Sequence, residues 1–230
     1  MGYRYEMHLH SCGCSKCGSS PSTDYIAAAK KLGYAGMVFT NHFYHGNTGI
    51  DRNLPWRDFV NAYRDDYLRA KEVGDREGID VLFGIEESYR PGKEVLIYGL
   101  EPEMIAETPE FRDMTLAEIS AFTHGCGGFI ACAHPFRAAS YIPDPDTPPD
   151  PTVLDAIEIN NAHNFLDDDE KAVAFAEKVK LPGICGGDVH NVSRFGCSGL
   201  DFEERIPDNK TLVRLLKSGK YTLYLDRVNK

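Results

Sequence analysis

Gly128-Phe129-Ile130-Ala131-Cys132-Ala133-His134-Pro135 is a run of apolar and small residues that stops at an imidazole and a proline. A short run without polar alternation reads as a strand buried on both faces, the condition of a parallel sheet covered by helices. Working outward, the arrangement recurs. Residues 4–10 end in His8-Leu9-His10, residues 36–40 lead to Asn41-His42, residues 79–85 lead to Glu86, and residues 183–187 lead to Asp188-Val189-His190. Each run delivers an imidazole or a carboxylate at its end. In an α/β protein such donors converge on one point, where they can hold metal ions.

Amphipathic stretches separate these runs. Ser22 and Gly33 bracket a helix over residues 22–32, and Pro55 opens another that runs to Arg76, with Phe59, Tyr63, Tyr67 and Ala70 at helical spacing. These aromatic residues read as core. Thr115 and Glu118 form a capping box for a helix to His124, and further helices are expected from Asp167 and over residues 209–217. Residues 95–98 predict a strand paired through a hairpin at Pro91-Gly92, and residues 156–160 and 221–225 predict two more. The Pro- and Asp-rich residues 138–151 read as a surface loop over the site. The alternation predicts one domain over residues 1–230, a distorted (β/α)7 barrel of about seven strands related to the eight-stranded TIM barrel.

Composition narrows the function. A net charge of -10 disfavours nonspecific binding to nucleic acid, because phosphate backbones are held by surplus Lys and Arg. Seven cysteines, an odd number, fit a reducing compartment better than a disulfide framework. Met1 to Glu6 lacks the apolar core of a signal peptide and no run is long enough to span a membrane, so the expected location is the cytoplasm. Cys132 and Cys185 lie in apolar runs and read as core, whereas Cys12, Cys14 and Cys17 crowd behind the first histidine pair.

In chain order, His8-x-His10, Thr40-Asn41-His42, Gly84-x-Glu86, His134-Pro135-Phe136-Arg137 and Gly187-Asp188-Val189-His190 resemble the motifs of the PHP (polymerase and histidinol phosphatase) superfamily. The resemblance implies a distorted seven-stranded barrel, two to three divalent ions (zinc, manganese or iron) in a trinuclear site, and hydrolysis of a phosphate ester by a metal-bound hydroxide. It implies a first ion on His8, His10, Glu86 and Asp188, with Glu86 bridging to a second ion on His134, and a third on His42 and His190. Cys17 and Glu94 stand where many members have other ligands. Both are chemically able donors, and for Cys17 a ligand and a free thiol stay equally open. Asn41 replaces the usual Asp of the second motif, a position expected to orient the imidazole of His42 and so to alter its metal affinity or basicity.

Around these donors, Arg137 is the expected grip on a phosphoryl group, with Asn160 and Arg194 as further substrate-binding candidates. Asp188 and His190 are candidate catalytic groups, and His190 or His163 is the candidate proton donor to the leaving group. His45, His124 and His163 lack motif context and read first as hydrogen-bonded structural residues. Glu87 would point away from Glu86 on an extended backbone, into a salt bridge or cap. The expected substrate is a small phosphomonoester. The alternatives are a nucleotide or oligonucleotide, histidinol phosphate, or no substrate at all in a decayed metal-binding protein. Metal-dependent amidohydrolases share the barrel and the His-x-His opening, but usually add a middle-strand lysine that this chain lacks at that position.

Overall fold

The computed structural model describes residues 2–226. Strands β1 (Tyr3–Glu6), β2 (Gly36–Phe39), β3 (Asp80–Arg90), β4 (Lys93–Tyr98), β5 (Phe129–Cys132), β6 (Ala156–Asn161), β7 (Gly183–Gly186), β8 (Ser198–Phe202) and β9 (Tyr221–Leu225) form one sheet. Its order is β7-β6-β5-β4-β3-β2-β1-β8-β9. The sheet curls into a nearly closed barrel. Across the gap no ladder joins β7 to β8, but the Cys185 thiol reaches Gly199 O at 2.8 Å and the Tyr221 hydroxyl donates to Gly183 O at 3.1 Å.

Strand directions explain the site. Parallel pairing of β1 with β2, β2 with β3, β5 with β6 and β6 with β7, together with two antiparallel steps through β4, aligns six strands in one direction. Their carboxyl ends therefore open at one rim of the barrel. Because β4 runs against them, its beginning, with Lys93 and Glu94, lies at that same rim. The hairpin at Pro91-Gly92 that places it there is the one the sequence predicts.

Nine strands, not seven, form the sheet, and the repeat is not a simple βα alternation. Part of the excess is β8, which the sequence reading misses. Ser198, Gly199 and Asp201 give it little strand propensity, and pairing with β1 supplies what propensity does not. An Arg4–Asp201 ion pair at 2.8 Å links the two strands, and β9 pairs with the outer edge of β8. β1 itself is shorter than residues 4–10. Its ladder stops at Glu6, and His8 and His10 lie on an extension joined to the chain after β7 by a Leu9–Val189 bridge.

Among the described residues six α-helices surround the sheet: α1 (Asp24–Leu32), α2 (Trp56–Glu77), α3 (Pro102–Ala106), α4 (Leu116–Gly125), α5 (Leu166–Val179) and α6 (Asn209–Ser218). Gly33 ends α1 at φ 74°, and Thr115 with Glu118 makes the expected capping box of α4. α5 starts at Leu166 without a side-chain cap; Asp167, Asp168 and Asp169 lie in its first turn, where the helix dipole favours negative charge. The short α3 carries no periodicity by which sequence could announce it. Among the described residues no helix is long and apolar enough to cross a membrane.

Two packing features hold the rim. Phe43, directly after His42, is fully buried between Trp56, Phe59, Tyr63 and Phe111, its ring 5.0–5.8 Å from theirs in edge-to-face contacts. That contact anchors the turn that carries His42. The cysteine loop is tied instead to Asp66, a buried acid of α2. Ser22 does not cap α1: its hydroxyl donates to Asp66 Oδ1 at 3.0 Å, while the Ser11 hydroxyl donates to Oδ2 and Arg69 completes the set at 3.1 Å. Gly13 passes so near this carboxylate that a Cβ there would overlap it. Asp66→Ala removes the charged acceptor of two buried hydroxyls, leaving them Asn41 Oδ1 and the residue 66 carbonyl, and should lower the unfolding free energy by about 1–3 kcal/mol, measured by urea denaturation; a change within error would show that the loop is held by other contacts.

Candidate metal centre

Glu86 occupies the middle of the rim and is completely buried. Its Oε1 lies 3.1 Å from Nε2 of both His8 and His134, and its Oε2 lies 2.7 Å from Nδ1 of His42 and 3.4 Å from Nε2 of His10. Asp188 Oδ1 approaches Nε2 of His8 at 3.5 Å and of His10 at 3.2 Å. Glu94 divides its oxygens similarly, 3.3 Å from His42 Nδ1 and 3.5 Å from His134 Nε2. Four overlapping donor groups result: His8, His10 and Asp188; His8, Glu86 and His134; His42, Glu86 and Glu94; and His10, His42 and His190.

These short separations are mostly not hydrogen bonds. His8 Nε2, His10 Nε2, His42 Nδ1 and Glu86 Oε2 are buried without a hydrogen-bond partner. Buried polar atoms without partners are costly, so several of them aimed at a common space fit a divalent cation. The imidazole and carboxylate donor set suits zinc, manganese or iron.

Hydrogen bonds behind the donors set the tautomers. His8 Nδ1 lies 2.9 Å from Glu158 Oε1, so its proton belongs on Nδ1 and the Nε2 lone pair faces Glu86 and Asp188. His10 is set through a longer chain. The Ser11 N–H donates to Asn41 Oδ1 at 2.7 Å and the Ser15 hydroxyl donates to the same oxygen at 3.0 Å, which leaves Ser15 Oγ to accept from His10 Nδ1 at 3.0 Å. Asn41 thus orients the ring of His10, not that of His42, and does so indirectly through Ser15. Ser15 Oγ also accepts the His42 N–H at 3.0 Å, holding that residue by its backbone. His190 Nδ1 donates to the Asp188 carbonyl at 2.8 Å, which leaves Nε2 as its free donor atom.

The electrostatics follow from burial and mutual charge. Burial alone would raise the carboxyl pKa values of Glu86 and Asp188, but imidazoles beside both, and Arg137 beside Asp188, hold them well below the usual range. His8 is held well above its ordinary value because Glu158, Asp188 and Glu86 outweigh its burial. His10 falls well below, through burial and then the neighbouring His42. Backbone strain marks two of these positions: His134 at φ 26° and Asp188 at φ 49° occupy the left-handed region without being glycine, at a cost of about 1–3 kcal/mol each. Glu158 Oε2 accepts the His134 N–H at 2.9 Å, and the Arg137 guanidinium donates to Asp188 Oδ2 at 2.7 Å, holding both residues in place.

All nine proposed ligands gather here. His8, His10, His42, Glu86, Glu94, His134, Asp188 and His190 belong to the four groups, and Cys17 stands at the exposed edge beside His42 and His190. Burial would raise its thiol pKa, but these two imidazoles bring it down to about 6. Arg137 lines the same cleft. Asn160 and Arg194 do not: Asn160 lies in a separate shallow pocket against α5, and Arg194 is exposed on a 3-10 turn. A β-bulge between Glu158 and Asn160 breaks the alternation of β6, so Asn161 rather than Asn160 shares the face of Glu158, to which its amide donates at 3.0 Å. His163 donates to Gly187 O at 2.8 Å, behind the donors. Glu158 and Ser15 escape the sequence reading, although a lone carboxylate in Ala156-Ile157-Glu158-Ile159 is a signal that could have been found.

A family model described as PHP-associated matches residues 168–221, a region that carries Asp188 and His190. No curated protein matches the chain significantly. Among solved structures, a two-domain protein from Bacteroides vulgatus containing a predicted PHP-like metal-dependent phosphoesterase superposes with a TM-score of 0.69 at 14% identity, over 98% of this chain and 65% of that one. This chain therefore spans just under two thirds of that protein. PsfC from Pseudomonas syringae superposes with a TM-score of 0.67 at 17% identity, over 100% of this chain and 94% of that one. An amidohydrolase from Chromobacterium violaceum, with sulfate bound and no metal, gives 0.54 at 16% identity, over 95% and 97%. At these identities the superpositions establish a shared fold. Fold and site define a barrel-like α/β protein with histidine and carboxylate donors clustered at one rim. The ordered motifs resemble those of the PHP superfamily, and the PHP-associated model matches the segment that carries the last of them.

Glu158→Gln keeps the shape but weakens the acceptor behind His8. It should reduce affinity for manganese or zinc by roughly 10–100-fold, read by titration of metal-depleted protein against a chromogenic chelator; unchanged affinity would detach Glu158 from the centre.

Proposed function

We propose that this protein is a metal-dependent phosphoesterase acting on a small phosphomonoester. The observation that carries the reading is the set of unpaired buried donors around Glu86 at the floor of a cleft of about 800 Å³. A cleft of that size accommodates a small molecule. Two to three zinc, manganese or iron ions fit the donor groups. Held by His8, His10, His42, Glu86, Glu94, His134, Asp188 and His190, with Cys17 at the open edge, they would supply Lewis acidity and make hydroxide available near neutral pH.

The chain's own residues do the rest. Arg137, pinned to Asp188 through Nη1, presents its remaining guanidinium donors to the cleft, where they meet two phosphoryl oxygens and offset charge that grows in the transition state. Lys93 fixes the wall: its buried ammonium donates to Pro135 O and Pro145 O, both at 2.9 Å, and ties the Pro-rich loop to β4. With both carbonyls occupying it, Lys93 is not the bridging lysine of an amidohydrolase. Glu86 takes that central position. A nucleotide is the alternative phosphate ester that the cleft admits.

Purified protein should contain manganese, zinc or iron and hydrolyse 4-nitrophenyl phosphate; chelation should abolish turnover and added metal restore it. Arg137→Ala should lower kcat/KM by roughly 10²-fold with metal content retained. His124→Ala, whose ring pairs with Asp155 away from the cleft, should stay near wild type. Turnover indifferent to chelation, or bound metal with no hydrolysis of any phosphate ester, would overturn the reading.

A further inference from the structure

His45 lines the same cleft as His42 and His134 but belongs to none of the four donor groups. Its Nδ1 lies 2.8 Å from Oε1 of Glu87, a carboxylate only 1% exposed, while the imidazole side chain is 48% exposed. The Tyr44 and His45 N–H groups donate to Glu87 Oε2 and Oε1, each at 2.9 Å. Accepting three hydrogen bonds is the geometry of a carboxylate, so the imidazole proton facing Glu87 sits on Nδ1. Nε2 has no partner among the described residues.

The placement is as informative as the pairing. The His42 segment bridges to β3 at Glu86, and Phe43 N donates to Glu86 O at 2.8 Å. Successive residues of β3 point to opposite sides. Glu86 therefore turns to the imidazole cluster and Glu87 to the turn that carries His45. The turn is rigid: Arg52 donates to the carbonyls of Tyr44 and Gly46, Lys16 N donates to Asn47 O at 2.9 Å, and Thr48 bridges to Ser15. A buried carboxylate clamping one imidazole nitrogen, with the other nitrogen in the cleft, is the arrangement of an acid–base dyad.

We infer that His45, oriented by Glu87, is the general acid that protonates the departing oxygen of the substrate. The inference rests on the phosphoesterase reading and names a catalytic residue for it. In the step, the oxygen of a water-derived hydroxide bonds to phosphorus, the ester P–O bond breaks with its electron pair on the departing oxygen, and the Nε2 proton of cationic His45 passes to that oxygen. Neutral His45 then regains a proton from solvent. The groups that face His45 are Glu87 on β3, Arg52 on its own loop and Asp113 on the 3-10 turn before α4. The hydrogen bond to Glu87 leads in holding its pKa above 6.5, Asp113 adds to it and Arg52 opposes it. The acid form thus persists to higher pH than in a free imidazole, and its contribution is lost as pH rises through the folded value.

The test compares wild type, His45→Gln and Glu87→Gln on 4-nitrophenyl, phenyl and alkyl phosphates, with metal content and near-ultraviolet circular dichroism confirming intact protein. General acid catalysis contributes roughly 10²–10⁴-fold. The His45→Gln loss in kcat/KM should therefore grow with leaving-group basicity, smallest on the nitrophenyl ester and at least about 100-fold on the alkyl ester. The alkaline limb of the wild-type pH profile on the alkyl ester should also disappear in this variant. Glu87→Gln should shift that limb to lower pH. An equal loss on all three esters, or no loss on the alkyl ester, overturns the dyad while leaving the hydrolase intact. Absence of wild-type turnover on every ester overturns the hydrolase reading and the dyad with it.

Discussion

A carboxylate with no exposed surface, surrounded by four imidazoles, is the constraint on which the rim depends. Glu86 cannot keep its charge in so dry a place unless positive charge surrounds it, whether borne by cations or by protonated rings. Its neighbours arrive from chain segments separated by long stretches of sequence. The barrel must bring β1, β2, β5 and the end of β7 to one rim before any of them is useful, and Phe43, Asp66 and the Leu9–Val189 bridge hold those ends in register.

Behind the histidine donors lies a second layer of uncharged and acidic groups. Glu158 supports His8 and the strained backbone of His134 at once, and Asn41 reaches His10 through Ser15. Such supports restrict each ring to one tautomer and one orientation. They also tie the exposed cysteine loop to the centre, since Ser11 and Ser15 share the Asn41 oxygen on which the orientation of His10 depends.

Much of the donor set was legible because strand-end histidines in an ordered series are rare by chance and because buried parallel strands have a plain apolar signature. Other parts were legible only in hindsight. β8 carries two small residues and an aspartate, so its strand identity comes from its partner β1 rather than from itself. Asn160 and Asn161 look alike in sequence, and a β-bulge that no local pattern announces decides which turns inward. His45 lacks a motif, and its pairing with Glu87 depends on a turn whose conformation is set by Arg52. Glu87 was read as turning away from Glu86 into a salt bridge, and it does so. Local pattern locates donors on the chain, but it does not locate the side chains that orient them.

The antiparallel pairing of β1 with β8 joins the start of the chain to a segment close to two hundred positions later. During synthesis, His8 and His10 leave the ribosome well before Asp188 and the strand that closes over β1. Until then the nascent chain exposes soft, incomplete chelating fragments, with Cys12, Cys14 and Cys17 beside them. The complete donor set at the rim therefore comes together only once the chain through β8 is available, so no partial segment carries it alone.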